Sequence, residues 1–184
     1  MILFGRIEAK RFANPQPVAA QTAYRGPMGA TEVVVRVDID ADPATVWAAV
    51  SDPTAYGRWS PEATGAVRRS GQGAWQVGDR FTGHNRIHVP WRTRCRVAAA
   101  QTERCFAFDV DLGPFPLARW SYELEPLPEG GTRVTERWTD RRDGVLGRMV
   151  RPAGLAVGRG YDAAARNRTT MQATLAALKA DLER

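Results

Sequence analysis

The segment from Thr31 to Pro61, TEVVVRVDIDADPATVWAAVSDPTAYGRWSP, narrows the choice of fold more than any other part of the chain. Val33, Val35, Val37 and Ile39 alternate with Glu32, Arg36 and Asp38, the period of a strand with one buried face. The strand breaks at Ala41-Asp42-Pro43. Asp42 suits a helix N-cap, because its carboxylate can accept a hydrogen bond from a free backbone N–H of the first turn. Pro43 suits the first helical position, where a missing N–H costs nothing. Val46, Trp47 and Val50 then mark a short apolar helix. Asp52-Pro53 repeats the same start and opens a second helical turn that reaches Tyr56, with Trp59 and Pro61 ending it. One strand feeding two very short helices does not fit a sheet covered by alternating helices. It fits a sheet gripped at one end.

Residues 62 to 139 read as successive strands with short connections. The expected strands are Ala66–Arg69, Arg80–Ile87, Trp91–Ala99, Arg104–Asp111, Leu117–Glu125 and Thr132–Thr139. Ser70-Gly71-Gln72-Gly73, Pro90, Leu112-Gly113-Pro114 and Pro126-Leu127-Pro128-Glu129-Gly130-Gly131 supply the turns. Connections this short favour sequential antiparallel pairing.

Alternation assigns the faces. Phe81, Gly83, Asn85 and Ile87 share one face with Trp91, Thr93, Cys95 and Val97, and with Phe106, Phe108 and Val110. Trp120, Tyr122, Leu124, Val134, Glu136 and Trp138 continue it. The opposite face carries His84, Arg86, Arg92, Arg94, Arg96, Asp109, Asp111, Arg119, Glu123, Glu125 and Arg137, a solvated surface with cross-strand partners of opposite charge. The apolar face needs a cover. Tyr161, Ala164, Arg168, Met171, Leu175, Leu178 and Leu182 form one stripe of a C-terminal helix of about six turns. Arg148 to Gly160, with Pro152, Gly154, Gly158 and Gly160, reads as a hinge or a short broken helix before it.

The chain of 184 residues is long enough for one sizeable core, and no apolar run approaches the roughly 20 residues of a membrane span. Charge enters within six residues of Met1, so the start lacks the apolar region of a secretory signal, and a cytoplasmic protein is expected. A net charge of +6 raises the question of nucleic acid. However, acidic residues interleave along most of the chain, and no helix-turn-helix, zinc-finger or RNA-platform motif is present, so a mixed solvated surface is expected instead. Cys95 and Cys105 have no histidine at ligand spacing. A hairpin turning near Gln101-Thr102 sets Cys95 closer to Phe108 than to Cys105, so two reduced, packed thiols are expected. Residues 1 to 30 have no sustained period. They read either as a poorly ordered arm or as a segment that packs across the domain or onto a partner subunit, as in a homodimer, through Ile2, Leu3, Phe4, Ile7 and Phe12.

Several segments resemble a known superfamily. Asp42-Pro43-Ala44-Thr45-Val46-Trp47, with Asp52-Pro53 and Trp59-Ser60-Pro61, is similar to the opening of the START-like (SRPBCC) proteins. Gly78-Asp79-Arg80-Phe81-Thr82-Gly83-His84-Asn85 resembles their third-strand pattern. Gly131-Thr132-Arg133-Val134-Thr135-Glu136 and Asn167-Arg168-Thr169-Thr170-Met171 resemble their last strand and long helix. The likeness runs from about 31 to 182 and points to the bacterial polyketide cyclase/dehydrase and lipid-transport group. It implies an α+β helix-grip (Bet v 1-like) fold: a curved antiparallel seven-stranded sheet around a long C-terminal helix, with two short helices after the first strand and a hydrophobic cavity between sheet and helix. The division expected is an N-terminal extension, 1–30, and a ligand-binding domain, 31–184.

Glu136 leads the candidate site residues. A carboxylate on an apolar face is costly unless it is paired or protonated. Arg168 interrupts the helical stripe that covers this face, so an ion pair between the two is expected. Such a pair would either fix helix to sheet or serve as a general acid/base or anchor for a polar ligand group. Tyr122 adds a phenol able to orient an enol or phenolate, and Asn85 an amide for a ligand carbonyl or a neighbouring backbone group. Trp59, Trp91, Trp120 and Trp138, with Phe81, Phe108 and Met171, are candidate walls for a flat or long apolar ligand. His84 falls on the solvent face and His88 at a turn, so no nucleophile–histidine pair and no metal site is expected. Gly71-Gln72-Gly73 is a turn rather than a phosphate loop, and no cofactor is expected. Two functions follow: a polyketide cyclase/dehydratase-like enzyme, or a non-catalytic carrier or sensor of a lipid, quinone or similar molecule.

Overall fold

The computed structural model of the chain describes residues 32–142 and 163–184. The expectations for residues 1–30, for Arg148 to Gly160 and for Tyr161 lie outside the described residues.

Strand β1 (Glu32–Ile39) leads into helix α1 (Pro43–Val50) and a 3-10 helix (Pro53–Arg58). The caps form as the sequence requires. The Asp42 carboxylate accepts from the Thr45 backbone N–H at 2.9 Å and from the Thr45 hydroxyl at 2.7 Å. The Asp52 carboxylate accepts from the Thr54 N–H at 3.0 Å. Six strands follow: β2 (Ala63–Arg68), β3 (Arg80–Arg86), β4 (Pro90–Gln101), β5 (Cys105–Leu112), β6 (Phe115–Pro126) and β7 (Thr132–Asp140). Helix α2 (Ala163–Leu182) ends the fold.

The sheet has seven strands in the order β1-β7-β6-β5-β4-β3-β2, all neighbours antiparallel. Every strand therefore pairs with its sequence neighbour except β1, which closes onto β7. Gly131 makes the β6–β7 hairpin possible: its φ is +83°, and a Cβ there would lie 2.5 Å from the Ile39 carbonyl oxygen. The fold is the expected helix-grip arrangement.

Register builds the concave face row by row. Val97, Phe108, Trp120, Trp138 and Val33 lie across five neighbouring strands in one row. Phe106, Tyr122, Glu136 and Val35 form the next. A bulge between Val97 and Ala99 shifts the β4–β5 hairpin, so Cys95 stands opposite Val110, closer to Phe108 than to Cys105 as expected, and Cys105 pairs with Gln101. Both cysteines are free thiols, Cys95 buried and Cys105 half-buried.

The convex face divides in two. Towards β1, Arg133 grips Asp38 with two bonds of 2.7 and 2.8 Å, and Arg137 reaches Glu32 at 2.9 Å and Glu123 at 3.4 Å. Arg119 and Arg141 share Asp109. Towards β2, Arg94 and Arg96 face Asp111 and Asp109 of β5 as expected, but across the β3–β4 pair like charges meet. Arg80 stands opposite Arg96 and His84 opposite Arg92, with Arg86 and Arg94 alongside.

Helix α2 crosses the concave face and buries Asn167, Met171, Thr174, Leu175 and Leu178. Its last turn is bolted down. The Asp181 carboxylate accepts from Trp59 Nε1 at 2.9 Å and from Arg58 at 2.6 Å, and it pairs with Arg184. Lys179 Nζ donates to the Asp38 carbonyl at 2.6 Å, and Glu183 accepts from the Asp40 N–H at 2.7 Å. No described helix is long and apolar enough to cross a membrane.

Candidate functional site

Sheet and helix enclose a cavity of about 140 Å³. That is close to the ~150 Å³ apolar cavity known to hold a benzene-sized ring. Its walls come from every layer of the fold: the 3-10 helix and the segment after it, strands β2 to β7, and one face of α2. Gly83 helps to open it. A Cβ at that position would come within 2.7 Å of Thr93 Oγ1, so only glycine leaves this stretch of β3 clear. An aromatic cluster runs through the wall. Phe81 meets Phe108 with centroids 5.4 Å apart, Phe108 meets Tyr56 at 6.1 Å, and Tyr56 meets Tyr122 at 5.9 Å. These are edge-on and tilted contacts of the kind aromatic quadrupoles favour.

Glu136 lies on this apolar wall, only 2% exposed. The Tyr122 hydroxyl donates to its Oε1 at 3.0 Å. Its Oε2 is buried and has no hydrogen-bond partner among the described residues. Burial pushes the carboxyl pKa up to about 8, and the Tyr122 hydrogen bond only partly opposes this. At neutral pH the group is therefore a neutral acid. With Oε1 already accepting from Tyr122, the acid proton belongs on Oε2. The result is a buried O–H donor facing apolar space. Burial and the nearby Glu136 charge both raise the Tyr122 and Tyr56 phenols well above the usual range, so each stays a neutral hydroxyl. Tyr56 spends its donor on the Val50 carbonyl at 2.7 Å.

The remaining polar groups are weaker or already engaged. Asn85 donates to Thr93 Oγ1 at 3.5 Å, and Thr93 Oγ1 meets Cys95 Sγ at 3.5 Å. Burial pushes the Cys95 thiol up to about 11, so it stays protonated. Thr170 and Thr174 turn their hydroxyls back onto α2 carbonyls. Arg142 is held by Asp140. Among the described residues no three His, Cys, Asp or Glu side chains gather as a metal ion would require.

Of the residues singled out from sequence, Glu136, Tyr122, Trp59, Phe81, Asn85, Trp91, Phe108, Trp120, Trp138 and Met171 all line the cavity. Arg168 does not, and the expected Glu136–Arg168 ion pair is not formed: Tyr122 is the group that holds Glu136. The cause is helical phase. At about 100° per residue, the cavity-lining positions Ala163, Asn167, Thr170, Met171, Thr174 and Leu178 centre on a line that leaves Arg168 more than about 100° away. Asn167 and Arg166 take the cavity positions instead. Tyr56, Glu62 and Arg142 also line it without having been foreseen. Neither histidine does.

A curved sheet closed over one helix, with an aromatic cavity and the neutral Glu136 acid in its wall, defines a small-molecule container. The chain belongs to the family described as polyketide cyclase/dehydrase and lipid transport, whose model matches residues 30–183. Solved structures agree. The polyketide-cyclase-like protein of Corynebacterium glutamicum shares 29% identity, with a TM-score of 0.52 over 83% of this chain and 91% of that one. A protein of Mycobacterium smegmatis, at 16% identity and a TM-score of 0.58, covers 90% of this chain and 98% of its own. DynU16, assigned to the dynemicin biosynthetic locus, is 15% identical with a TM-score of 0.54, over 83% of this chain and 47% of that one. The last two show the fold alone. No curated protein matches the chain.

Proposed function

We propose that the protein binds a hydrophobic, oxygen-bearing small molecule in this cavity and moves a proton on it, in the manner of a polyketide cyclase/dehydratase. The observation that carries this reading is the Glu136 carboxyl: buried in an apolar wall, neutral at pH 7, held by Tyr122 on one oxygen and unsatisfied on the other. An orphaned buried donor costs free energy until something accepts from it. A ligand carbonyl or hydroxyl oxygen supplies that acceptor. A carboxyl with a pKa near the working pH is also suited to proton transfer, because neither form is too scarce. As acid, Glu136 would give its proton to a carbonyl oxygen as it becomes an enol, or to a hydroxyl as it leaves as water, and the carboxylate so formed would take the proton released from the α-carbon. The cavity would contribute orientation and exclusion of water.

The carrier reading keeps one specific support. Dehydration needs a base at carbon and an acid at oxygen, and Glu136 can serve in only one of these roles at a time. Turnover decides between the two. The enzyme reading expects the protein to accelerate loss of water from the model β-hydroxyketone 4-hydroxy-4-phenylbutan-2-one, and Glu136→Gln to abolish that acceleration. Binding of the ketone with no acceleration would leave the carrier.

A further inference from the structure

The cavity holds a second unsatisfied group, Arg166, in the first turn of α2. Its Nη2 donates to Asn167 Oδ1 at 3.3 Å and lies 3.6 Å from Glu62 Oε2. Both contacts are long for a guanidinium, whose charge-assisted bonds close to ~2.7–2.9 Å. Its Nε and Nη1 are buried with no hydrogen-bond partner among the described residues. A guanidinium cannot shed its proton to escape this cost, as a carboxyl can. The fold does not treat every arginine here so. Arg142 lines the same cavity with its carboxylate supplied by Asp140 at 2.5 Å. Arg166 is left with three N–H hydrogens and a distant acid.

We propose that Arg166 is an anion anchor, and that the ligand of this cavity is an apolar oxo-acid: its carboxylate binds Arg166 Nε and Nη1, and its neutral carbonyl or hydroxyl oxygen accepts from Glu136. The two ends select different oxygens. An anion is excluded from the apolar wall around Glu136, and a neutral acid can donate to a carbonyl but offers an anion no charge. The positive, permanently charged end takes the carboxylate. Glu62 is the resident competitor, and its long contact leaves the cation available to a better placed oxygen. The aromatic residues that line the same cavity fit the hydrophobic body. This assignment rests on the cavity being the ligand site and adds the chemical class of the ligand.

Matched acid and ester probes test it: 4-acetylbenzoate and 6-acetyl-2-naphthoate against their methyl esters, titrated calorimetrically at pH 7. The acids are expected to bind wild-type protein at least tenfold more tightly than the esters. Arg166→Met is expected to remove that preference and leave ester binding within about twofold. Glu62→Gln, which removes the competing carboxylate and keeps Arg166, is expected to strengthen acid binding several-fold and leave the esters unchanged. This second variant keeps the test open if Arg166→Met does not fold. Esters binding as well as acids, or an acid preference that survives Arg166→Met, overturns the anion anchor and leaves the cavity reading in place. Failure of all four probes to bind at millimolar concentration overturns both.

Discussion

Glu136 carries most of the chemistry at the scale of single residues. Its raised pKa makes stability depend on pH with a definite sign. Between the unfolded value near 4.5 and the folded value of about 8, the unfolded chain has lost a proton that the folded protein retains. Stability should therefore fall as pH rises through that window and level off above it. At ~1.4 kcal/mol per pH unit the fall is on the order of 5 kcal/mol. Glu136→Gln, which is neutral throughout, should lack the fall and be the more stable protein at pH 9, as read by urea unfolding at several pH values. Tyr122→Phe acts in the other direction. It removes the one hydrogen bond that favours the carboxylate, so the Glu136 pKa should rise further, visible as a later midpoint of the same stability fall.

The sequence placed Glu136 in the apolar face by parity alone, because strand alternation is rigid: a residue is on one face or the other. It could not place Arg168 as well. A helix turns continuously, and a stripe drawn through leucines and one arginine tolerates an error of one residue in phase. That single step exchanged Arg168 for Asn167, and with it the expected ion pair for an orphaned carboxyl. Tyr56 and Glu62 were hidden for a different reason. They sit in the 3-10 helix and the segment after it, where no period marks a direction.

At the scale of elements, the fold depends on how α2 is tied to the rest. Asp181 gathers Trp59, Arg58 and Arg184, so one side chain holds the last helical turn against a cavity wall. Asp181→Ala should destabilise the protein by about 2 kcal/mol, the range for hydrogen bonds to a charged group, and expose Trp59 to quenching by iodide. The β3–β4 pair makes the opposite prediction. Arg80 faces Arg96 directly, a like-charge cross-strand pair that costs stability. Arg80→Glu should recover about 0.5 kcal/mol at low ionic strength and less in high salt, as measured by thermal unfolding. Strand positions in this region were legible from turn residues to within a few positions. The bulge near Val97 was not, because nothing in Val-Ala-Ala-Ala distinguishes an extra residue from a regular one.

The whole molecule is a container whose shape follows from the sheet order. Since β1 closes onto β7, the short helices after β1 and helix α2 both line one concavity, and residues distant in sequence share the cavity. Its small volume makes it sensitive to filling. Ala118 lies in the wall, and Ala118→Phe should weaken binding of acetophenone at least tenfold while costing about 1–3 kcal/mol through overpacking. The container was legible in the sequence because capping residues, strand parity and a terminal helix all require the same architecture. Its contents were not, since they depend on which polar atoms stay unpaired, and pairing is a property of the assembled cavity.

The claim on which the rest depends is that Glu136 is neutral and offers its free oxygen to a ligand. Carbon-13 NMR titration of its side-chain carboxyl, without and with saturating acetophenone, measures both parts. A midpoint near pH 8 is expected in the free protein, moving upward with the ketone, because a carbonyl that accepts from Oε2 favours the protonated form. A midpoint in the ordinary carboxylate range, or one that the bound ketone does not move, would contradict it.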